Sequence, residues 1–181
     1  HRIEKRIMAT NMEYTLLRAS FFMQNLHEVH RGDIVEHDEI FVPAGNGKTS
    51  FVDARDIGEA AAIVLTDPDH ANRAYDLTGP EALDYGEVAT IFSDVLGRPI
   101  TYPQPSLLTF AARMRRRGKS LGFIALMSGI YTTARLGLAA RVTGDSRRLL
   151  GRPPRGMQAF VNDYADDFRS DSRPTDGDEE R

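Results

Sequence analysis

The chain has 181 residues, of which 41% are hydrophobic and 27% are charged, with a formal net charge of −3. This composition is typical of a soluble globular domain with a sizeable core, and the lack of cysteine excludes disulfides, thiolate metal sites and cysteine nucleophiles. The sequence has no apolar run of the roughly 20 residues that span a bilayer and no signal-peptide pattern, so we expect a cytoplasmic protein that does not bind membranes.

Charge is unevenly distributed along the chain. Residues 169–181 carry many acidic side chains and no large apolar one, and we expect them to form a disordered acidic tail. A basic cluster runs from Arg113 to Lys119 just before and after Gly118. Because no aromatic residues are interleaved with these cations, we interpret them as the C-terminal cations of a helix and expect no direct nucleic-acid partner.

The first elements alternate between helix and strand. Residues 2–10 predict a short helix, residues 14–18 a strand, and residues 22–30 a second helix. The adjacent Leu16 and Leu17 indicate a strand that is buried on both faces, as in parallel sheets covered by helices.

The next segment predicts a β-hairpin. Asn46-Gly47 lies between two β-prone runs, 39–43 and 49–52, and both residues tolerate positive φ. The run from Gly45 to Thr49 superficially resembles a phosphate-binding loop, but Val42 stands where that motif needs its first glycine. A strand rather than a helix is also expected after it, so we reject this interpretation.

Acidic residues mark two helix starts. Asp56 followed by Glu59, and Asp84 followed by Glu87, have the spacing of a capping box. Asp53 and Asp56 could also be read as an acid/base pair, but the capping role favours a structural interpretation.

The remaining elements follow in order. A strand is expected over 73–78, a helix from Tyr85 to its end at Gly97, and a short strand over 100–102. Beyond residue 105 the pattern is helical, with helices at about 106–117, 121–140, 145–150 and 155–168.

Three histidines raise the question of a metal site. His27 and His30 are three residues apart and could bind a metal together from one helix face, with His37 nearby. A third ligand with fixed spacing is not evident. We interpret them as histidines on a helix surface and predict no metal site.

The first strand runs straight into small residues and then two aromatics. In an open parallel sheet, ligands bind just beyond the carboxyl ends of strands. Ala19 and Ser20 would let a planar ring approach the backbone, Phe21 or Phe22 could pack on that ring, and Asn25 could donate a hydrogen bond to a ligand. A core strand followed by two buried phenylalanines is equally consistent with the spacing.

A set of motifs spread along the chain points to one family. They are Glu13-Tyr14-Thr15-Leu16-Leu17-Arg18, Phe21-Phe22-Met23-Gln24-Asn25-Leu26, Phe51-Val52-Asp53-Ala54-Arg55-Asp56-Ile57-Gly58, Ala74-Tyr75-Asp76-Leu77-Thr78-Gly79-Pro80-Glu81-Ala82-Leu83, Tyr85-Gly86-Glu87-Val88-Ala89 and Gly97-Arg98-Pro99-Ile100. Together they resemble the NmrA-like branch of the atypical short-chain dehydrogenase/reductases, over roughly residues 1–168.

The resemblance implies an NAD(P)H-dependent oxidoreductase that uses NADP or NAD and transfers hydride to a quinone-like or other small electrophile. Because the family also includes redox-sensing regulators, a non-catalytic NAD(P)-sensing protein is the alternative. The resemblance places five residues beside the nicotinamide, namely Arg18, Ala19, Ser20, Phe21 and Phe22. It places Phe22 and Asn25 at the edge of the substrate pocket.

The family's glycine-rich dinucleotide turn is missing from this sequence. We therefore expect the C-terminal part of such a protein, with an incomplete cofactor site and no independent activity. The expected fold is α/β, an incomplete Rossmann-type doubly wound sheet with a smaller α+β substrate lobe and C-terminal helices. Residues 1–38 would be the remnant of the dinucleotide-binding domain, and residues 39–168 the substrate-binding lobe and C-terminal helices. The exposed edge of such a sheet is expected to promote association into a homo-oligomer or with a protein partner.

A catalytic pair is suggested by spacing. Relatives of this kind often carry His in place of Tyr in the Tyr-x-x-x-Lys dyad, and His1 and Lys5 have that spacing. The imidazole could donate a proton to the substrate, and the ammonium could hold the ribose. Aligning Glu4 with the family's lysine is the alternative, and it places the Tyr/His position before residue 1.

Overall fold

The computed structural model describes residues 2–169. His1 and residues 170–181 lie outside the described residues, so the expected disordered tail and one half of the expected catalytic pair are not addressed by it. No helix among the described residues has the length and apolar character needed to cross a membrane.

Helices and short parallel strands alternate through the described chain. The strands are β1 (Thr15–Ala19), β2 (Phe21–Phe22), β3 (Phe51–Val52) and β4 (Arg73–Leu77). The helices are α1 (Arg2–Met8), α2 (Gln24–Glu28), α3 (Arg31–His37), α4 (Ala54–Thr66), α5 (Tyr85–Leu96), α6 (Leu107–Arg116), α7 (Leu121–Arg135), α8 (Asp145–Leu150), α9 (Met157–Asp163) and α10 (Ala165–Phe168), with a 3-10 turn at Pro68–His70.

The strands pair in parallel. β1 pairs with β4 in a register that runs from Thr15 opposite Arg73 to Ala19 opposite Leu77, and β2 pairs with β3. Parallel neighbours require helical crossovers between them, which is the pattern of α/β proteins. The predicted α/β class is confirmed.

Helix α5 begins and ends as the sequence predicts. The Asp84 carboxylate accepts hydrogen bonds from the backbone N–H groups of Gly86 and Glu87, both at 2.8 Å, and the Glu87 carboxylate accepts from the Asp84 N–H. Gly97 ends the helix with a φ of 67°, a conformation that glycine adopts without strain.

The hairpin predicted at Asn46-Gly47 is wrong. Thr49 bridges to Leu83 in antiparallel fashion, and Glu39 bridges to Thr101 in parallel. The two flanks of the turn therefore pair with distant segments rather than with each other, because tertiary pairing outweighs the local turn preference.

The cap predicted at Asp56 is also wrong. Asp53 is the N-cap of α4, and its carboxylate accepts from the Arg55 N–H at 2.9 Å. Asp56 lies in the first turn, only 2% exposed, where its carboxylate pairs with Arg152 at 2.8 Å and also with Arg155. Asp56 thus ties α4 to the segment after α8.

Several other predicted elements differ from the structure in smaller ways. Leu16 and Leu17 are only partly buried, so β1 is not buried on both faces of the described structure. The helix expected over 22–30 is the short α2, followed by α3. The strand expected over 100–102 is reduced to the single bridge at Thr101, and α7 ends at Arg135 rather than near residue 140.

Two clusters of buried side chains form the core. The smaller one packs α4 and α8 against β4 through Ala60, Tyr75, Leu77 and Leu149. The larger one joins α2 and α3 to α5, α6, α7 and the two last helices. The division expected between residues 38 and 39 stays a prediction, although side chains on both sides of that position share the larger cluster.

One buried charge joins α3 to the C-terminal end of α6. The Asp33 side chain is fully buried, and its carboxylate accepts from Arg113 at 3.2 Å and from Arg117 at 2.7 and 3.0 Å. Arg113 also contacts Glu39. Two of the cations interpreted as helix-terminal charges therefore compensate a buried carboxylate.

We predict that Asp33→Asn lowers the free energy of unfolding by about 2 kcal/mol, because it weakens charge-assisted hydrogen bonds to two arginines. Urea unfolding followed by circular dichroism measures the change. Glu36→Gln, which alters an exposed carboxylate on the same helix, is the matched control and should stay within about 0.5 kcal/mol of the wild type. Equal stabilities of the two variants would contradict the role given to Asp33.

Candidate functional site

A cavity of about 540 Å³ opens where β1 and β4 end. Its size is in the usual range of small-molecule sites. It is lined by the end of β1, the approach to β3, the end of β4, helix α7 and the loop after it. The lining residues are Arg18, Ala19, Ser20, Phe21, Thr49, Ser50, Asp76, Thr78, Tyr85, Ile130, Tyr131, Thr133, Ala134, Leu138, Ala139, Arg141 and Thr143.

Parallel pairing explains the place of this cavity. The Ser20 N–H donates to the carbonyl of Leu77 at 2.9 Å, so the pairing continues one residue past β1. Past this point the chain after β1 pairs with β3 as β2, and the chain after β4 passes beside Phe51 at Gly79. The cavity lies at this carboxyl edge of the strands.

Hydrogen bonds hold the small side chains of the cavity in place. The Ser20 and Ser50 hydroxyls lie 2.9 Å apart, and the Ser50 N–H donates to Ala139 at 2.8 Å. Thr78 is fixed from the other side, because its N–H donates to the Ser146 hydroxyl at 2.9 Å. These contacts join β1, β3, β4 and the loop after α7 into one wall.

Two glycines allow segments of the cavity wall to pack closely against their neighbours. A Cβ at Gly47 would lie 2.0 Å from the carbonyl oxygen of Ala134, so only glycine lets this turn lie against α7. A Cβ at Gly79 would lie 1.9 Å from the carbonyl of Phe51, so β4 can leave the sheet beside β3 only with glycine there.

The rim of the cavity is charged. Arg18 makes two 3.0 Å hydrogen bonds to the carboxylate of Glu4, and its guanidinium lies 3.6 Å from Asp76. The hydrogen bond from Arg18 lowers the pKa of Glu4. Arg141 pairs with Asp76 at 3.1 Å while remaining largely exposed. Two guanidinium groups therefore line the cavity. Each could release its carboxylate partner and bind an anionic group of a ligand instead.

Three aromatic residues of the lining, Phe21, Tyr85 and Tyr131, pack together and against the buried ring of Phe51. We call these three lining rings the aromatic wall. The ring centroids of Phe21 and Phe51 are 5.7 Å apart, those of Phe51 and Tyr85 are 5.5 Å apart, and both pairs meet edge to face. The Tyr131 ring lies 6.1 Å from those of Phe21 and Tyr85. The inner end of the cavity is thus suited to a flat apolar ligand.

His30 lies behind this wall and is not a surface histidine, which corrects the expectation from sequence. It is 1% exposed, and its Nε2 atom contacts the hydroxyl of Tyr131. Burial lowers the pKa of His30 to about 4, opposed by nearby Asp33 and assisted by nearby Arg117. The imidazole is therefore neutral at pH 7.

The structure brings four of the predicted cofactor residues to this cavity. Arg18, Ala19, Ser20 and Phe21 all line it. Phe22, which was also expected beside the nicotinamide, is 40% exposed and is not among the lining residues.

Two other predicted residues also lie away from the cavity. Asn25, expected at the edge of the substrate pocket, is in α2 and is not among the lining residues. Lys5 is exposed on α1, while its neighbour Glu4 reaches the cavity rim through Arg18. The roles assigned to these residues stay predictions.

Several lining residues were not singled out from the sequence. Thr78 could have been found, because it directly follows a predicted strand and the same edge rule applies to it. Thr49 follows the turn at Asn46-Gly47 and gave no such signal. Tyr85 and Tyr131 gave none either, because they belong to helices whose apolar faces predict core positions. Within residues 2–169, no group of three or more acidic or histidine side chains is placed to hold a metal ion.

A parallel α/β core with a cavity at the carboxyl edge of its strands is typical of α/β proteins that bind a ligand in that crevice. Within that class, the model of the NmrA-like family matches residues 1–123. The chain belongs to the NmrA-like family.

Known relatives agree with this assignment. An NAD(P)H azoreductase from Xenophilus azovorans is 34% identical over 165 residues, which are 91% of this chain and 57% of the relative. The structure of an NADPH-dependent quinone oxidoreductase from Escherichia coli, complexed with NADPH, superposes with a TM-score of 0.82 at 25% identity, covering 90% of this chain and 57% of that one.

A third relative is the triphenylmethane reductase of Citrobacter sp. complexed with NADP(H). Its TM-score is 0.80 at 26% identity, and the match covers 88% of this chain and 56% of that one. The chain thus spans a little more than half the length of the relatives it matches.

We predict that the free energy of unfolding falls by about 3 kcal/mol through His30 as the pH drops from about 6.5 to about 4. The folded-state pKa lies below the unfolded one, so the unfolded chain binds the proton first. The stability that depends on a neutral His30 is therefore fully present above pH 6.5 and is lost progressively as the pH falls toward 4.

Urea unfolding at a series of pH values, compared between the wild type and His30→Gln, isolates this contribution. The variant should show a shallower acid dependence. His27→Gln, which replaces a partly exposed imidazole in the same region, is the matched control for the substitution itself. Parallel curves for the wild type and His30→Gln would contradict the prediction.

Proposed function

We propose that the protein carrying this chain is an NAD(P)H-dependent reductase that transfers hydride to a small planar electrophile such as a quinone or an azo compound. The observation that supports it most is the cavity at the shared carboxyl edge of β1 and β4. Its lining combines small side chains with aromatic rings. An NAD(P)H azoreductase is similar in sequence, and a quinone oxidoreductase complexed with NADPH shares the fold.

The residues present suit the nicotinamide end of the cofactor. Ala19 is exposed at the end of β1, next to Ser20, so a flat ring can approach the backbone there. Arg18 and Arg141 supply positive charge at the rim. The 181 residues contain no glycine-rich turn for the pyrophosphate, so that part of the cofactor would need groups that this chain does not supply.

In this proposal the cofactor and the chain have separate roles. When bound, NADPH or NADH would supply the hydride. This chain would position the nicotinamide against Ala19 and Ser20, hold the substrate against the aromatic wall, and keep water away from the inner end of the cavity. The substrate class is therefore a small molecule with a flat, apolar body.

We predict that the full-length protein oxidises NADPH in the presence of a naphthoquinone or an azo dye. Ala19→Leu should weaken NADPH binding by about tenfold or more, because a larger side chain occupies the place of the ring. The measurement is the dissociation constant from calorimetry, together with the loss of NADPH absorbance in the coupled reaction.

Ala125→Leu is the matched control, since it makes the same substitution at an exposed position of α7 that is not among the lining residues. It should leave both quantities unchanged. NADPH binding that tolerates Ala19→Leu, or a protein that oxidises NADPH with none of the acceptors tested, would count against the proposal.

A further inference from the structure

Two residues that line the cavity carry a buried hydroxyl group without a hydrogen-bond partner. Among the described residues, Thr49 Oγ1 and the Tyr85 hydroxyl are unpaired buried atoms, together with Nδ1 of His30. Thr49 and Tyr85 are each 1% exposed, and both line the cavity. Buried polar atoms are almost always paired, so two unpaired ones at a single cavity call for an explanation.

The neighbouring hydroxyls make the contrast clear. The Tyr102 hydroxyl donates to the carbonyls of Val42 at 3.1 Å and Gly45 at 3.0 Å, and the Tyr131 hydroxyl contacts His30. Within this aromatic cluster, Tyr85 is the tyrosine whose hydroxyl the described residues leave unpaired.

The small polar side chains of the cavity are paired as well. Ser20 and Ser50 bond to each other, and Thr143 donates its N–H to the hydroxyl of Thr78 at 3.1 Å. Among the described residues that line the cavity, the buried hydroxyls without a hydrogen-bond partner are therefore those of Thr49 and Tyr85. An unpaired buried group carries a desolvation penalty that a ligand can relieve.

The surroundings define what such a ligand looks like. The Tyr85 ring meets Phe51 at an angle of 86° and Tyr131 at 77°. Aromatic walls with two unpaired hydroxyls favour a planar aromatic compound that presents a hydrogen-bond acceptor.

We propose that Tyr85 and Thr49 form the subsite that binds the carbonyl oxygen of a planar aromatic substrate, with Tyr85 donating the principal hydrogen bond. This inference rests on the proposed function for its substrate class and assigns the residues that recognise it. Burial raises the pKa of Tyr85 well above its ordinary value. The phenol therefore remains a proton-bearing donor throughout the neutral range.

The test measures the binding of two probes to the full-length protein. The probes are 1,4-naphthoquinone and naphthalene, which share a ring system and differ in the carbonyl oxygens. Isothermal calorimetry or NMR titration should show tighter binding of naphthoquinone to the wild type. Tyr85→Phe should weaken naphthoquinone binding about tenfold and leave naphthalene binding unchanged, with a smaller loss in the same direction for Thr49→Val.

The stability of the variants separates a ligand-binding role from a structural one. Tyr85→Phe removes a hydroxyl without a protein partner, so its thermal unfolding temperature should equal or exceed that of the wild type. The matched control is Tyr102→Phe, which removes a paired hydroxyl. It should lower the unfolding temperature and leave naphthoquinone binding unchanged.

Three results would overturn the subsite: no binding of naphthoquinone, equal binding of the two probes by the wild type, or unchanged naphthoquinone binding by Tyr85→Phe. Its failure is distinguishable from that of the proposed function. If the full-length protein oxidises NADPH with a quinone and Tyr85→Phe has no effect, the function stands without this subsite. If naphthoquinone binding depends on Tyr85 but no acceptor supports NADPH oxidation, the subsite stands without that function.

Discussion

The parallel pairing of β1 with β4 is the constraint on which the rest of the structure depends. Its register places Ala19 opposite Leu77, so both strands end at the same edge. The chain continues from one strand through Ser20 and from the other through Thr78, and both residues line the cavity. The cavity opens at this edge, and the residues of the two proposed binding sites line it.

A second set of contacts joins the cavity wall to the body of the protein. Tyr131 lines the cavity and contacts the buried His30, which precedes α3. Three residues further along, Asp33 is held by Arg113 and Arg117 at the end of α6. The same short segment thus fixes α7 through an aromatic contact and α6 through ion pairs. Such buried polar groups are stabilising only while all partners remain in place.

The sequence was informative where the determinants are local. The capping box of α5, its end at Gly97 and the small residues after β1 each depend on neighbours within a few positions. It failed where the partner is distant, as with the turn at Asn46-Gly47, whose flanks pair elsewhere. The burial of His30 could not be predicted either, because its partner Tyr131 lies 101 residues away. The unpaired hydroxyl of Tyr85 is visible only once every neighbouring donor and acceptor is placed.

In our proposal the end of β1 receives the nicotinamide ring. The most direct measurement is a crystal structure of the full-length protein with oxidised NADP bound. We expect the nicotinamide ring within about 4 Å of the backbone of Ala19 and Ser20, with its other face toward the aromatic wall. A bound cofactor whose nicotinamide lies away from this edge, with Ala19 and Ser20 covered by protein side chains, would contradict it.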